Sequence, residues 1–451
     1  MSRRDEVLKN FLRYEEETKH RVEHGIELYR KGFATLKVVD KDGNPVSGVK
    51  VDAKLKKHEF LHGANLFMLD EFDTEEYNEK YKKLFADCFN EATLPIYWDA
   101  FEPEDGKPRF DKNSPKIYRR PPLDLCYEYC KENNITPKTH CLTYFNFNAP
   151  WLDEYDFPAL KKRIERRYRE LAERYADKIH GWEVINETLC TKLTKEKTPY
   201  YEDDNVVEDS FRLAEKYFPY NELIINEAVH IWEPTKMFAY NRSAYYQLIE
   251  RAISKGARID AVGMQYHAFK RAEAEKDLVD SIYNPHQIYK VLDCYAKLGK
   301  PIQITEITIP AYTNDAENYE LQAEIIERLY SIWFSHPSVE AAIYWNLPDG
   351  YAAFAPKGAM QNGENYFRGG LLDFNLNPKP AYDKIKDLFR NVWTTNTSCE
   401  SNNEGIAKFC GYYGEYEITV GSFKKTLKLS SKVHNEFTVT LCGDEDVQIK
   451  R

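Results

Sequence analysis

Residues 181–187 read GWEVINE, a short and largely apolar run that ends in the polar pair Asn186 and Glu187. Short apolar runs rich in β-branched residues are typical of buried strands. Seven further runs of this kind occur on either side of it along the chain. The eight candidate strands cover residues 62–66, 88–90, 138–142, 181–185, 222–225, 261–264, 302–305 and 341–344.

Amphipathic stretches, such as residues 157–175 and 319–335, separate most of these candidate strands. Eight strand–helix alternations predict an α/β fold with a closed parallel barrel, the (β/α)8 or TIM barrel, over residues 61–390. An open doubly wound sheet is the alternative. Such a sheet usually carries a glycine-rich nucleotide loop after its first strand, and none follows residues 62–66.

The two ends of the chain have a different pattern. Residues 1–32 predict an amphipathic N-terminal helix that stops at Gly32. Residues 33–60 alternate between apolar and polar around an Asp-Gly turn, which favours a hairpin, and residues 403–451 alternate in the same way. Neither segment has enough strands to be stable alone. We therefore predict that both segments form one small accessory β-sandwich.

Charge and composition exclude several partners. The chain of 451 residues has a formal net charge of -10, which argues against binding to nucleic acid or to an anionic membrane. No run approaches the roughly 18 apolar residues of a membrane-spanning helix. The N-terminus also lacks the apolar core of a signal peptide. We expect a cytoplasmic protein, with a trimmed export signal as the alternative, and the sequence carries no signal for an oligomeric state.

The nine cysteines are odd in number and do not form a zinc-binding pattern. Several of them, including Cys88, Cys141 and Cys410, lie within apolar runs, which predicts buried free thiols. No cluster of histidine, aspartate and cysteine suggests a metal, so we expect neither a metal nor a cofactor.

Polar side chains occur where most of the predicted strands end. In a parallel barrel the carboxyl ends of all strands meet at one face, where active sites form. Two of these side chains, Glu187 and Glu306, end strands on opposite sides of the barrel. Glycoside hydrolysis uses such a carboxylate pair. The full set is Asn90, His140, Asn186, Glu187, Asn226, Glu227, Gln265, His267, Glu306, Trp345 and Asn346.

Six segments, in order, resemble the motifs of glycoside hydrolase family 10, the xylanase family. Residues 182–187 resemble its acid/base motif, and Thr305-Glu306 resembles the end of its nucleophile motif. The other similar segments are GMQYH at 263–267, INE at 225–227, GLLDF at 370–374 and NPKPAY at 377–382. The resemblance extends from about residue 60 to about residue 390.

This resemblance implies a retaining glycoside hydrolase that acts on a carbohydrate or glycoside. Glu187 would be the acid/base, protonated near neutral pH, and Glu306 the ionised nucleophile. His267 would hydrogen-bond Glu306, Gln265 would lie near Glu187, and Asn186 would bind the sugar 2-hydroxyl. The remaining substrate-binding positions would be His140, Trp345, Tyr144 and Trp98. Glu183, four residues before Glu187, is expected to be structural or solvated.

Two segments depart from the family pattern. The family's Glu-Asn-x-x-Lys-Trp is TLPIYW at residues 93–98, so its asparagine and lysine are missing. After the third strand, tyrosine and phenylalanine occupy the tryptophan, histidine and glutamine positions within residues 139–147. We expect the reaction to survive and the sugar preference to change. The alternatives are a β-glycosidase for aryl or plant-metabolite glycosides or short oligosaccharides, and an inactive carbohydrate-binding barrel.

Overall fold

The computed structural model describes residues 2–189, 203–233, 239–442 and 446–451. The chain divides into two compact units. The first consists of Met1–Tyr14, His62–Ile326 and Ala341–Asp383, and the second of Glu15–Leu61, Glu327–Glu340 and Lys384–Arg451.

The strands are numbered along the chain. They are β1 (Lys31–Val39), β2 (Lys50–His58), β3 (Leu61–Asn65), β4 (Glu91–Pro95), β5 (Thr136–His140), β6 (Gly181–Asn186), β7 (Glu222–Glu227), β8 (Ala261–His267), β9 (Ile302–Thr308), β10 (Val339–Tyr344), β11 (Asn396–Glu400), β12 (Ile406–Tyr412), β13 (Gly414–Val420), β14 (Phe423–Leu429), β15 (Glu436–Leu441) and β16 (Val447–Lys450).

The α-helices are numbered in the same way. They are α1 (Arg3–Val7), α2 (Lys9–Arg13), α3 (Glu15–Tyr29), α4 (Glu75–Cys88), α5 (Trp98–Phe101), α6 (Leu123–Glu132), α7 (Phe157–Tyr175), α8 (Val206–Tyr217), α9 (Ala244–Ser254), α10 (Pro285–Tyr295), α11 (Ala316–Ser335) and α12 (Pro380–Asp387).

Strands β3 to β10 close into a parallel barrel in sequence order, which confirms the predicted fold. Helix α7 illustrates why the intervening segments are helical. Asp156 caps its first turn by accepting a hydrogen bond from the Ala159 N–H at 2.9 Å. Its buried positions, which include Leu160, Ile164 and Leu171, recur at helical spacing and form one apolar face.

The second strand of the barrel lies further along the chain than predicted. Helix α4 continues to Cys88, and the strand is Glu91–Pro95, so the prediction of a strand over residues 88–90 is wrong. The apolar run there belongs to the buried face of the helix. Asn90 therefore precedes the strand, where its side-chain oxygen accepts a hydrogen bond from the His62 N–H at 2.8 Å. Asn90 lies at the opposite end of the barrel from the other candidate site residues.

The N-terminal segment is three helices rather than one, with breaks at Leu8 and Tyr14. Gly32 does not end the last helix, because α3 stops at Tyr29 and Gly32 lies within β1. Gly25 in α3 has a packing role. A Cβ atom there would lie 2.4 Å from the Ser335 carbonyl oxygen, so only glycine permits this close approach.

The second unit contains two four-stranded sheets, ordered β12-β1-β15-β16 and β11-β2-β13-β14. Both sheets combine strands from the two ends of the chain. Alternate residues of β13 are buried, as expected for a strand with one face on a core. Strand β11 begins at Asn396, before the predicted start at residue 403. Phe334, Phe389 and Trp393 add an aromatic cluster to this unit, with Phe334 and Trp393 stacked at 4.2 Å.

Among the described residues, no helix is both long enough and apolar enough to cross a membrane. The eight cysteines of this part of the chain are free thiols. Cys88 and Cys141 are buried as predicted, whereas Cys410 is exposed, so its predicted burial is wrong.

A buried ion pair anchors the segment that follows the last barrel strand. The Lys379 ammonium lies 3.1 Å from the Asp349 carboxylate and donates to the Gly370 and Arg368 carbonyls at 2.7 and 2.8 Å. Both charged side chains are almost fully buried. Burial lowers the pKa of Lys379 and raises that of Asp349, while each partner opposes the shift of the other.

We expect Lys379→Met to destabilise the protein by about 3–5 kcal/mol, because it leaves the Asp349 carboxylate buried without its counter-ion. Urea denaturation followed by tryptophan fluorescence measures the loss. Lys384→Met is the matched control, because it removes the half-exposed pair with Glu327 and should change stability by less than about 1 kcal/mol. Equal effects of the two substitutions would contradict the assignment.

Candidate active site

A cavity of about 510 Å³ opens at the carboxyl ends of the barrel strands. Its volume falls within the usual range for small-molecule sites. The cavity brings together eight of the nine predicted site residues: His140, Tyr144, Asn186, Glu187, Gln265, His267, Glu306 and Trp345.

Trp98 is the ninth predicted residue, and it does not line this cavity. It begins helix α5, and its indole N–H donates to the Glu102 carboxylate at 2.9 Å. Its ring packs against Trp151, and the Arg167 guanidinium lies 5.0 Å from the ring centre. The structure therefore places Trp98 outside the cavity that contains the other eight predicted residues.

The side chain of Gln265 connects the two candidate carboxylates. Its amide nitrogen donates to Glu187 Oε1 at 2.8 Å and to Glu306 Oε1 at 3.0 Å. These two oxygens are thus at most about 5.8 Å apart, the sum of both distances, which is below the ~6.5 Å at which the range for inverting glycosidases begins.

Two further contacts hold the side chain of Glu306 in place. The Asn226 amide donates to Oε1 at 2.8 Å, and His267 Nε2 lies 3.1 Å from Oε2. Gly263 leaves room for Asn226, because a Cβ atom at residue 263 would lie 2.6 Å from the Asn226 side-chain oxygen. This explains why a glycine occurs within strand β8.

The protonation of His267 follows from its surroundings. Burial lowers its pKa to about 4, so the ring is neutral near pH 7 and carries a single N–H. Nε2 faces Glu306, and Nδ1 lies 3.0 Å from the Thr308 hydroxyl. The ring therefore donates from Nε2 to the carboxylate and accepts at Nδ1 from Thr308.

The side chain of Glu306 is 4% exposed. Burial raises its pKa to about 8, the carboxylates of Glu183 and Glu187 add to the shift, and His140 and Lys138 oppose it. Burial and the neighbouring carboxylates thus work against the expected ionisation of Glu306, and His140 and Lys138 work in its favour. Because the negative charge of Glu187 is one cause of this raised pKa, a proton on Glu187 favours the ionised form of Glu306.

Sequence reasoning missed a buried charge network beneath Glu306. Glu183 lies 2.7 Å from the Lys138 ammonium and 2.5 Å from His140 Nδ1. Burial alone would raise the pKa of Glu183, but Lys138 and His140 outweigh it and lower the pKa to about 2. Burial would likewise lower the pKa of His140, but Glu183 raises it above its usual value. Glu183 is therefore buried and ionised, and the solvated alternative is wrong.

His140 joins this network to the nucleophile candidate, because its Nδ1 lies 3.9 Å from Glu306 Oε1. The ligand atoms of His140, Glu183 and Glu306 all lie within 4.8 Å of one another, a spacing that suits a metal ion. The Lys138 ammonium already neutralises Glu183 at 2.7 Å. This group of side chains is satisfied as a hydrogen-bonded ion network without a metal.

Glu187 follows β6 in the left-handed region of backbone space, with φ of 51°. Non-glycine residues rarely adopt this conformation, and it is concentrated at functional sites. The Glu187 N–H donates to the Asn226 carbonyl at 3.1 Å, which fixes the backbone. The Tyr144 hydroxyl donates to Glu187 Oε2 at 2.5 Å. Unlike Glu306, the Glu187 side chain is only partly buried.

Aromatic side chains form one wall of the cavity. Tyr97, Phe67 and Trp345 form a buried cluster, with Tyr144 and Phe147 packed against it. Phe354, which the sequence did not single out, is 77% exposed at the mouth and lies 6.2 Å from Phe147. Other lining residues that sequence reasoning missed are Arg119, Arg120, Phe269, Glu364 and Phe367.

Comparison with curated proteins finds relatives of moderate similarity. An anti-sigma-I factor of Acetivibrio thermocellus, RsgI6, is 26% identical over 424 residues, covering 90% of this chain and 47% of that protein. Endo-1,4-beta-xylanase B of Cellvibrio japonicus is 28% identical over 289 residues, covering 63% of this chain and 41% of that protein. The chain thus spans less than half the length of these two relatives.

Solved structures share the fold. Native xylanase 10B from Thermotoga maritima aligns with a TM-score of 0.58 and 23% identity, covering 74% of this chain and 96% of that one. Xylanase 10B from Thermotoga petrophila, solved with xylobiose, aligns with a TM-score of 0.57 and 22% identity, covering 74% of this chain and 95% of that one.

The model of the family described as Glycosyl hydrolase family 10 matches residues 57–388. The matched segment includes all eight barrel strands and every residue of the cavity. The chain therefore belongs to glycosyl hydrolase family 10.

Proposed function

We propose that this protein hydrolyses β-glycosidic bonds with retention of configuration, by way of a covalent glycosyl-enzyme intermediate. The observation that carries the proposal is the amide nitrogen of Gln265, which reaches Glu187 and Glu306 at 2.8 and 3.0 Å. An inverting mechanism needs a water molecule between one carboxylate and the sugar. Carboxylates this close leave no room for that water.

The surroundings of the two carboxylates support different roles. Glu306 is buried and held by Asn226, Gln265 and His267, as suits a nucleophile that must meet one anomeric carbon. Glu187 is more exposed, so it can exchange protons with solvent, as an acid/base must do once in each half-reaction.

The reaction proceeds in two steps. Glu306 attacks the anomeric carbon while Glu187 donates its proton to the leaving oxygen, and the glycosidic bond breaks. Glu187 then removes a proton from water, which attacks the anomeric carbon and releases Glu306. Asn186 is placed to assist, because its side-chain oxygen accepts from Asn226 at 2.9 Å. This leaves its amide N–H groups to donate to a sugar hydroxyl.

We expect Glu306→Ala to abolish turnover of every glycoside, because no nucleophile remains. Glu187→Ala should slow substrates with poor leaving groups by about 10²–10⁴-fold and affect dinitrophenyl glycosides far less, since these need no proton. Steady-state kinetics on a leaving-group series measures both effects. The exposed Glu154→Ala is the control, and unchanged hydrolysis by Glu306→Ala would overturn the proposal.

The pH dependence of kcat/KM separates the pair. In the wild type, Glu306 must lose a proton while Glu187 keeps one, which predicts a bell-shaped profile. In Glu187→Gln, assayed with a dinitrophenyl glycoside, the falling limb at high pH should vanish. Its rising limb should lie below the pKa of about 8 that Glu306 has beside Glu187, because one negative neighbour is gone. A rising limb that moves to higher pH would contradict the assignment.

We further propose that the substrates are aryl β-glycosides or short oligosaccharides rather than polymeric xylan. The name xylanase describes the activity of those relatives, not of this chain. In this chain, Tyr97 and Phe147 stand where the family pattern has polar sugar contacts, and they pack 4.5 Å apart. Phe354 extends this aromatic surface to the mouth. Aromatic faces stack on sugar rings and on aryl groups.

We expect Phe354→Ala to lower kcat/KM for aryl glycosides by about 2- to 10-fold, the usual contribution of one aromatic contact. Phe33→Ala is the matched control, because Phe33 is 68% exposed and lies in the other unit. Initial rates on 4-nitrophenyl glycosides, xylo-oligosaccharides and xylan test the preference. Polymeric xylan as the fastest substrate would contradict it.

A further inference from the structure

Two consecutive arginines, Arg119 and Arg120, line the substrate cavity. They lie in the loop between α5 and α6. Arg109 braces this loop by donating to the carbonyls of Ala100 and Arg120 at 2.9 and 3.1 Å. Arg119 has a φ of 62°, in the left-handed region that non-glycine residues seldom adopt. The loop is therefore held in one strained conformation that presents both guanidinium groups to the cavity.

Aromatic rings support these guanidinium groups from below. The Arg120 guanidinium lies 3.9 Å from the centre of the Tyr97 ring and 5.6 Å from that of Phe147. The Arg119 guanidinium lies 5.6 Å from the centre of the Phe67 ring. Stacking on aromatic faces orients a guanidinium without neutralising its charge.

Neither arginine has a counter-ion in contact. Within the described ranges, no carboxylate lies within 4.0 Å of either guanidinium. Arg119 donates to the Tyr351 carbonyl and to Asn346, while its Nε is buried without a hydrogen-bond partner. The Arg120 side chain donates a hydrogen bond from Nη1 to the Arg119 carbonyl at 3.0 Å. Burial lowers the pKa of Arg120, and Glu364 and Asp99 oppose this from a distance.

Both guanidinium groups thus lack a contacting counter-ion among the described residues, although carboxylates line the same cavity. These are Glu187, Glu306 and Glu364, of which Glu364 accepts a hydrogen bond from Asn346 at 2.7 Å. Buried charges are costly unless they are paired, so an anion in contact with Arg120 would be favoured. A carboxylate on the substrate would satisfy both the charge and the planar fork of the guanidinium.

Contacts through Tyr97 connect these arginines to both reacting carboxylates. The Tyr97 ring packs 5.1 Å from the His140 ring, and His140 Nδ1 is 3.9 Å from Glu306. The Tyr97 ring also lies 6.1 Å from the ring of Tyr144, whose hydroxyl donates to Glu187. A carboxylate held by the arginines would therefore lie in the same cavity as the scissile bond.

We propose that Arg119 and Arg120 form a carboxylate-binding subsite, so that the preferred substrates carry a uronic acid. This inference rests on the proposed hydrolysis at Glu187 and Glu306. The Arg120 guanidinium makes the direct charge-assisted contact, and the charge of the neighbouring Arg119 adds to the attraction for an anion. Tyr97 occupies the position at which the family pattern has a lysine. The Arg120 guanidinium, which lies 3.9 Å from the centre of the Tyr97 ring, brings a positive charge to this position from another loop.

The test compares substrates that differ only by a carboxylate. One pair is 4-nitrophenyl β-D-glucuronide and β-D-glucoside, and the other is xylotriose with and without a glucuronosyl branch. In at least one pair we expect a kcat/KM that is about 10- to 100-fold higher for the acidic member, the usual effect of a hydrogen bond to a charged group. Arg120→Gln should remove this ratio, and Arg120→Lys should keep part of it.

Arg271→Gln is the matched control, because this exposed arginine stacks on Tyr366 and should leave the ratio unchanged. If Arg120 had only a structural role, Arg120→Gln would lower kcat/KM for both substrates of a pair by the same factor. That result would overturn the inference. Wild-type enzyme that cleaves the neutral members without any acidic preference would also overturn it, while the proposed hydrolysis stands.

Binding to Glu306→Gln protein, measured by calorimetry, keeps the two proposals separate and retains the native arginines. Tighter binding of the glucuronosyl trisaccharide than of xylotriose supports the carboxylate subsite, even if the wild-type enzyme cleaves none of the four compounds. Equal binding of the two trisaccharides, together with equal binding of glucuronate and glucose, overturns the subsite.

Discussion

The buried carboxylate of Glu306 is the constraint around which the carboxyl end of the barrel is organised. A charge with 4% exposure requires hydrogen-bond donors or counter-ions, because water cannot supply them. Asn226, Gln265 and His267 supply the donors from neighbouring strands. The strand register makes this possible, since Gln265 is paired directly with Glu306 across β8 and β9. The barrel thus serves as a frame that brings donors from distant parts of the sequence to one oxygen pair.

A second layer of charge lies beneath the first. Lys138, Glu183 and His140 form a chain of contacts that ends near Glu306. Each member is buried, and the Glu183 carboxylate is paired with Lys138 and His140 rather than with solvent. Removing one member would leave the next unpaired at a cost of several kcal/mol. Such a network fixes the ring of His140, and with it the floor of the cavity, more rigidly than apolar packing alone would.

The sequence was sufficient where periodicity and strand ends coincide. Seven of the eight barrel strands were placed correctly, because their apolar runs are bounded by polar residues, and Gln265 and His267 were found because they end β8. Strand β4 was misplaced because it carries Glu91 and Thr93 towards a buried interior, so its run does not look apolar. For a related reason the sequence left open whether Glu183 is structural or solvated. A charged residue within a strand is normally predicted to face solvent. This prediction changes only when its ion-pair partner is known, and the partner of Glu183 is Lys138 on another strand.

The arginine pair shows why loops resist this kind of reasoning. Arg119 and Arg120 follow residues 102–118, which have no periodic pattern, and their place in the cavity depends on the backbone conformation at Arg119 and on bonds from Arg109. In (β/α)8 barrels the catalytic residues lie at strand ends, whereas the loops contribute residues that select the substrate. The loop sequences can change without moving the strand ends. The family's polar positions are lost here at Tyr97, yet a guanidinium returns to the same place from the next loop. A guanidinium that lines the cavity without a contacting counter-ion is costly unless a ligand pairs with it, and this cost is the reason to expect an anionic group on the substrate.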